Sequence, residues 1–140
     1  MNSAYIEDSR MIAKLRTALR GEGEMVINTE MGSYPLAKRS FIDEDIDLST
    51  NRPGDHIFEK VLVGRYQGLQ VQYIVREAIE QELFFSGYFA DRFASIFELS
   101  EDEIHEFIEH SYGTGILSQC CANDIDREQL FHIVDNVLER

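Results

Sequence analysis

Leu99-Ser100-Glu101-Asp102-Glu103-Ile104 and, further on, Ile125-Asp126-Arg127-Glu128-Gln129-Leu130 are the stretches that decide the fold. In the first, Ser100 is placed to cap a helix and Glu103 to return the hydrogen bond, while Leu99 packs on Ile104 across the cap. In the second, Asp126 takes the cap position, Gln129 the return, and Ile125 with Leu130 the apolar contact. Two helix starts follow. The second helix shows an apolar face of Leu130, Val134, Val137 and Leu138, with Ile133 beside it.

Working back from these signals, residues 88–98 put Phe89, Phe93 and Ile96 on one stripe after Ser86-Gly87. Residues 56–76 admit two periods. Phe58, Val61, Leu62, Leu69 and Tyr73 suit a helix, and Leu69, Val71, Tyr73 and Val75 suit a strand after a Gly64-to-Gly68 loop. Helix is preferred, because Arg76 to Phe85 continues helically with no further turn signal. At the N-terminus, Met11, Ile12, Leu15, Ala18 and Leu19 predict a helix over residues 4–20, closed by Gly21. Met25 to Thr29 reads as a strand. Phe41 to Leu48 reads as another, with Ile42, Ile46 and Leu48 on one face and Asp43, Asp45 and Asp47 on the other. Such a hairpin is marginal alone and is expected to pack on the helices. The fold predicted is α+β and predominantly helical: N-terminal helix, small antiparallel β-sheet, then a C-terminal helical bundle. One domain is expected over 1–140, with helix and sheet in 1–54 and mainly helix in 55–140.

The 140 residues carry 13 Lys+Arg against 26 Asp+Glu, a net charge of −13. Residues 41–140 hold seven bases and twenty-one acids, and within 77–109 Arg92 alone faces ten acids. Such a field disfavours direct contact with free nucleic acid or an anionic membrane. Apolar runs are too short to span a bilayer, and the first residues lack the pattern of a signal peptide, so a cytoplasmic address is expected. Cys120 and Cys121 are neighbours, too close for an unstrained bridge, which suits a reducing compartment.

Two acidic clusters stand out. Asp43, Asp45 and Asp47 on a strand would be spaced about 6.8 Å apart, comparable with phosphates along a nucleic acid. Asp102, Glu106 and Glu109 share one helix face with no Lys or Arg on that helix to relieve their repulsion. Other constellations fail their templates. Counting from Asp43, the calcium-loop positions for Gly and Glu hold Leu48 and Gly54. His105 and His110 are five apart, off the spacing of a zinc helix, and His56 has no recognisable partner. Gly21-Glu22-Gly23-Glu24 would repel a phosphate, and Gly113-Thr114-Gly115 suits a helix end.

The function expected from charge is a non-enzymatic acidic protein that binds and inhibits a basic, nucleic-acid-handling partner through Asp43, Asp45, Asp47, Asp102, Glu106 and Glu109. A nucleic-acid mimic of the anti-CRISPR or anti-restriction kind, or a toxin immunity protein, would look this way. Neither a cofactor nor a metal is expected. The alternative is a helical adaptor or small-ligand module, self-associating through Phe84, Phe85, Phe89, Phe93 or Phe97, with acidity serving solubility. A small enzyme using Cys120 or Cys121 with His132 and Asp135 ranks last, because nothing around the thiols resembles an activating environment.

Overall fold

The computed structural model describes residues 2–14, 23–83 and 85–140. Strand β1 (Asn2–Asp8) pairs antiparallel with β2 (Glu24–Glu30) in the register Asn2↔Glu30 to Asp8↔Glu24, forming a two-stranded ribbon. The expected strand at Met25–Thr29 is therefore present. The helix expected over 4–20 is not what its first residues form. Tyr5 and Ile6 face Ile27 and Val26 across the ladder, residues that suit a pleated surface, and a 3-10 turn follows at Ser9–Met11. Leu15, Arg16, Ala18, Leu19, Arg20 and Gly21, on which the helix reading also drew, lie outside the described residues. The ribbon does not bury itself on the helices as expected, since Tyr5, Ile6 and Val26 all stay more than half exposed.

A second correction concerns Phe41 to Leu48, which is helix α1 (Phe41–Ser49) and not a strand. Ser40 and Asp43 form a complete capping box there: the Asp43 N–H donates to Ser40 Oγ, and the Ser40 N–H donates to Asp43 Oδ2. Ile42 and Ile46 are four apart and face inward together, whereas Leu48 points to solvent. The helical part thus begins at Phe41, inside the segment assigned to helix and sheet.

From Ile57 on, this segment is helical as preferred, divided at Val63 into α2 (Ile57–Leu62) and α3 (Gly64–Glu80). Then come α4 (Gly87–Ala94), α5 (Glu101–Glu109), α6 (Ile116–Cys120) and α7 (Asp124–Leu138). The core gathers Val71 and Val75 of α3, Phe89 and Phe93 of α4, Ile104 and Phe107 of α5, Leu117 of α6, and Leu130, Val134 and Val137 of α7. The mostly helical α+β fold with a small antiparallel sheet is as expected.

Two buried glutamines tie α3 to its surroundings. Gln72 Nε2 donates to the Ile96 and Phe97 carbonyls, and its Oε1 accepts the Leu99 N–H. Gln70 Nε2 donates to the Lys60 and Val61 carbonyls at the end of α2. The capping box at Ser100 and Glu103 forms as predicted. The one predicted at Asp126 does not, because α7 starts earlier with Asn123 as its cap. Asp126 is buried and takes hydrogen bonds from the Ser86 N–H and hydroxyl and from the Ala122 N–H, joining the start of α7 to the start of α4.

Candidate functional site

The short helix α2 is held between two features the local sequence dictates. Before it, Asn51-Arg52-Pro53-Gly54 makes a turn in which Gly54 has φ +81°, a conformation that favours glycine. His56 then enters the left-handed region at φ 52° and precedes Ile57 without a side-chain cap. Against the other flank of α2 packs the 3-10 turn Met31–Ser33 that follows β2. Gly32 is buried there, and a Cβ on it would come 2.8 Å from Glu59 Oε2. A larger residue at position 32 would have to displace the Glu59 carboxylate from this place.

Between the 50–56 segment and α2 lies a cleft of about 220 Å³ lined by Thr50, Asn51, Arg52, Asp55, His56, Glu59, Lys60 and Tyr66. His56 bridges two carboxylates, with Nδ1 3.3 Å from Glu59 Oε2 and Nε2 3.7 Å from Asp55 Oδ1. Arg52 lies 3.6 Å from the other Asp55 oxygen. These side chains are all partly open to solvent. The cleft therefore offers carboxylate acceptors, an amide, an imidazole and a guanidinium within one small volume. That set suits a neutral molecule rich in hydroxyl groups, each of which both donates and accepts.

A larger groove of about 500 Å³ runs between α1, α3 and α7, where Ile42, Ile74, Ile133 and Val137 line it together with Gln129, His132, Asn136 and Arg140. What distinguishes the smaller cleft is a pair of carboxylates, Asp55 and Glu59, flanking one imidazole; the larger groove has no carboxylate in its lining. Among the described residues, no group of three or more His, Cys, Asp or Glu side chains is arranged to hold a metal ion.

Of the residues singled out from sequence, Asp47 lies behind the cleft wall, bonded to Lys60 and the Gly54 N–H, and the others lie elsewhere. Asp43 and Asp47 do not form a row with Asp45; both are buried in ion pairs, while Asp45 is exposed. Arg140 grips Asp43 with two parallel bonds of 2.9 and 2.8 Å. Burial alone would raise the Asp43 carboxyl, but bonds from Arg140 and Ser40 outweigh it and hold it below the ordinary carboxylate range. At Asp47 burial is likewise overcome, here by Lys60 and the Gly54 N–H. Asp102, Glu106 and Glu109 are exposed on α5, as expected, but α5 packs on α3, α6 and α7 while α1 packs on α2 and α3. Cys120 is buried and Cys121 half-buried; burial pushes both thiols up, Cys121 to about 11, the opposite of an activated nucleophile.

Sequence reasoning missed Glu59 and found no partner for His56, which here has two carboxylates beside it. A single glutamate at the start of a short helix has the pattern of an ordinary surface acid. The one signal was Asn51-Arg52-Pro53-Gly54, a turn that brings a polar loop back over the next helix.

The hexokinase family model matches residues 1–140. A hexokinase of Schistosoma mansoni is 34% identical over 96 residues, covering 65% of this chain and 21% of the relative. Hexokinase-7 of Oryza sativa subsp. japonica is 32% identical over 118 residues, covering 81% of this chain and 24% of the relative. The chain thus spans about a quarter or less of the length of these curated relatives. The solved structure of Schistosoma mansoni hexokinase complexed with glucose superposes with a TM-score of 0.73 at 26% identity, over 97% of this chain and 33% of that one. These matches overturn the expectation of a non-enzymatic inhibitor, nucleic-acid mimic, anti-CRISPR, anti-restriction or immunity protein. Excess acid over base was the warrant for that expectation, and a net charge bears on solubility and association, not on fold or reaction.

Proposed function

The chain belongs to the hexokinase family, and on that premise we propose that it serves in phosphoryl transfer to a hexose, with the sugar held in the cleft beside Glu59. The observation that carries this reading is the convergence of Asp55, His56 and Glu59 on one small polar cleft. A hexose presents adjacent hydroxyls on a compact ring. A carboxylate accepts from two of them at once, in charge-assisted bonds roughly twice as strong as neutral ones. His56 supports Glu59 from the side, and Gly32 keeps the backbone of the Met31–Ser33 turn close to the same carboxylate.

Among the described residues, no helix is long and apolar enough to cross a membrane. The cytoplasmic address forms part of the same proposal, supported by two neighbouring free thiols.

The test is a titration of the isotopically labelled chain with glucose, followed by backbone amide shifts in nuclear magnetic resonance. Signals of Gly32, Gly54 and His56 are expected to move together and to saturate, and Glu59→Gln to weaken binding about tenfold or more. No movement of these signals up to about 100 mM glucose, far beyond a millimolar affinity, would overturn the proposal.

A further inference from the structure

We propose that the buried pair Lys60–Asp47 is the positioning element of this cleft, setting hexose affinity by fixing the Thr50–Gly54 wall without touching the sugar. The inference rests on the reading of the cleft as the sugar site and names what shapes it. Lys60 Nζ, almost wholly buried, donates to Asp47 Oδ1 at 2.6 Å, Thr50 Oγ1 at 2.9 Å and the Arg52 carbonyl at 2.6 Å. An ammonium has three donors, and all three are used. Lys60 and Thr50 border the cleft, but no N–H of the ammonium is left over for a ligand, so Lys60 acts as a positioning residue and not a catalytic one. Asp47 uses its second oxygen, Oδ2, to accept the Gly54 N–H at 2.8 Å. One cation and one anion thereby hold the wall at Thr50, Arg52 and Gly54.

The base of this clamp is itself fixed. The Lys60 carbonyl accepts from buried Gln70 of α3, which locks α2 to the core at the residue next to Glu59. Glu59 faces the cleft while Lys60 reaches back under the loop, so consecutive residues set the carboxylate and the opposing wall in one frame. Stability is a poor explanation for such a pair. Replacing a buried ion pair by well-packed apolar groups is often neutral or stabilising. Geometry is the better one, because a misplacement of about 1 Å in a binding constellation can cost about a hundredfold in rate.

The glucose titration is repeated on Lys60→Met, Asp47→Asn and Thr50→Val. Asp47→Asn leaves one acceptor where Lys60 and the Gly54 N–H use two, so its NH2 faces one of those donors and breaks that side of the clamp. Thr50→Val removes one anchor from a partly open position and guards against a failure of the other two to fold. Unmoved amide signals of Val71 and Val134 show that the core is intact. The expected result is a glucose affinity lowered about tenfold or more by Lys60→Met and Asp47→Asn and a few-fold by Thr50→Val. Lys60→Arg is expected to give no rescue, because a planar fork cannot meet three acceptors arranged around one nitrogen. Displaced Thr50–Gly54 signals with affinity within about twofold of the unaltered chain would overturn the inference and leave the sugar site standing. Absence of glucose binding in the unaltered chain would overturn both.

Discussion

A methyl group at Gly68 would come 2.0 Å from the Leu99 carbonyl oxygen, so α3 can lie on the segment before α5 only with glycine there. Alanine is a better helix former by about 1 kcal/mol, but the clash is with backbone that Gln72 holds in place at Ile96, Phe97 and Leu99. Gly68→Ala is expected to destabilise by about 1–3 kcal/mol, the usual range for overpacking, measured by denaturant unfolding. Asp43 and Asp47 carry a prediction for pH. Each carboxyl is depressed below its ordinary value of 3.8 by its partners in the fold. Their contribution is therefore complete above the unfolded value and lost as pH falls through the folded ones. Unfolding free energy should drop steeply below about pH 4, and Asp43→Asn should flatten that drop. A drop of unchanged steepness in Asp43→Asn would contradict the assignment. Neither aspartate could be recognised as buried from its place in Asp43-Glu44-Asp45-Ile46-Asp47. The partners, Arg140 and Lys60, are distant in the chain, and alternating acids look the same whether solvated or paired.

Among the elements, α5 was legible because everything that starts it is local: Ser100, Glu103 and the flanking Leu99 and Ile104. Ser100→Ala should cost about 1 kcal/mol, as cap removals do. The start of α7 was misplaced because Asp126-Arg127-Glu128-Gln129 imitates the same pattern, while the cap is Asn123. A direct comparison separates the two assignments. Asn123→Ala should cost about 1 kcal/mol, and Asp126→Ala more, about 2–4 kcal/mol, because it leaves the Ser86 and Ala122 donors without their acceptor. The reverse order would restore the sequence assignment. For α1, Ser40 and Asp43 were a capping pair in plain sight, and Ile42 with Ile46 kept helical spacing. The strict alternation of Asp43, Asp45 and Asp47 masked both. β1 was lost for a different reason: a two-stranded ribbon is specified by its partner strand, here residues 24–30, and not by its own period.

Across the whole molecule, burial governs the two cysteines. With the Cys121 thiol pushed up to about 11, alkylation at neutral pH should be slow in the folded chain and fast once denaturant exposes both thiols. Equal rates in the two states would contradict the packing of α6. The predominantly helical α+β character was legible, since apolar spacing and caps act within a few residues of one another. So was the exposed acidic face of Asp102, Glu106 and Glu109 on α5. The sequence by itself determined helix-rich composition, the strand at 25–29, the cap of α5 and the acidic field, all products of local propensity and summed charge. Only the tertiary structure decided which acids are solvated and which are paired, and that Glu59, Asp55 and His56 meet beside Gly32. Those meetings depend on the turn at Gly54, on the packing of Met31–Ser33 against α2, and on an ion pair closed between Asp47 and Lys60, contacts between segments whose separate patterns say nothing about one another.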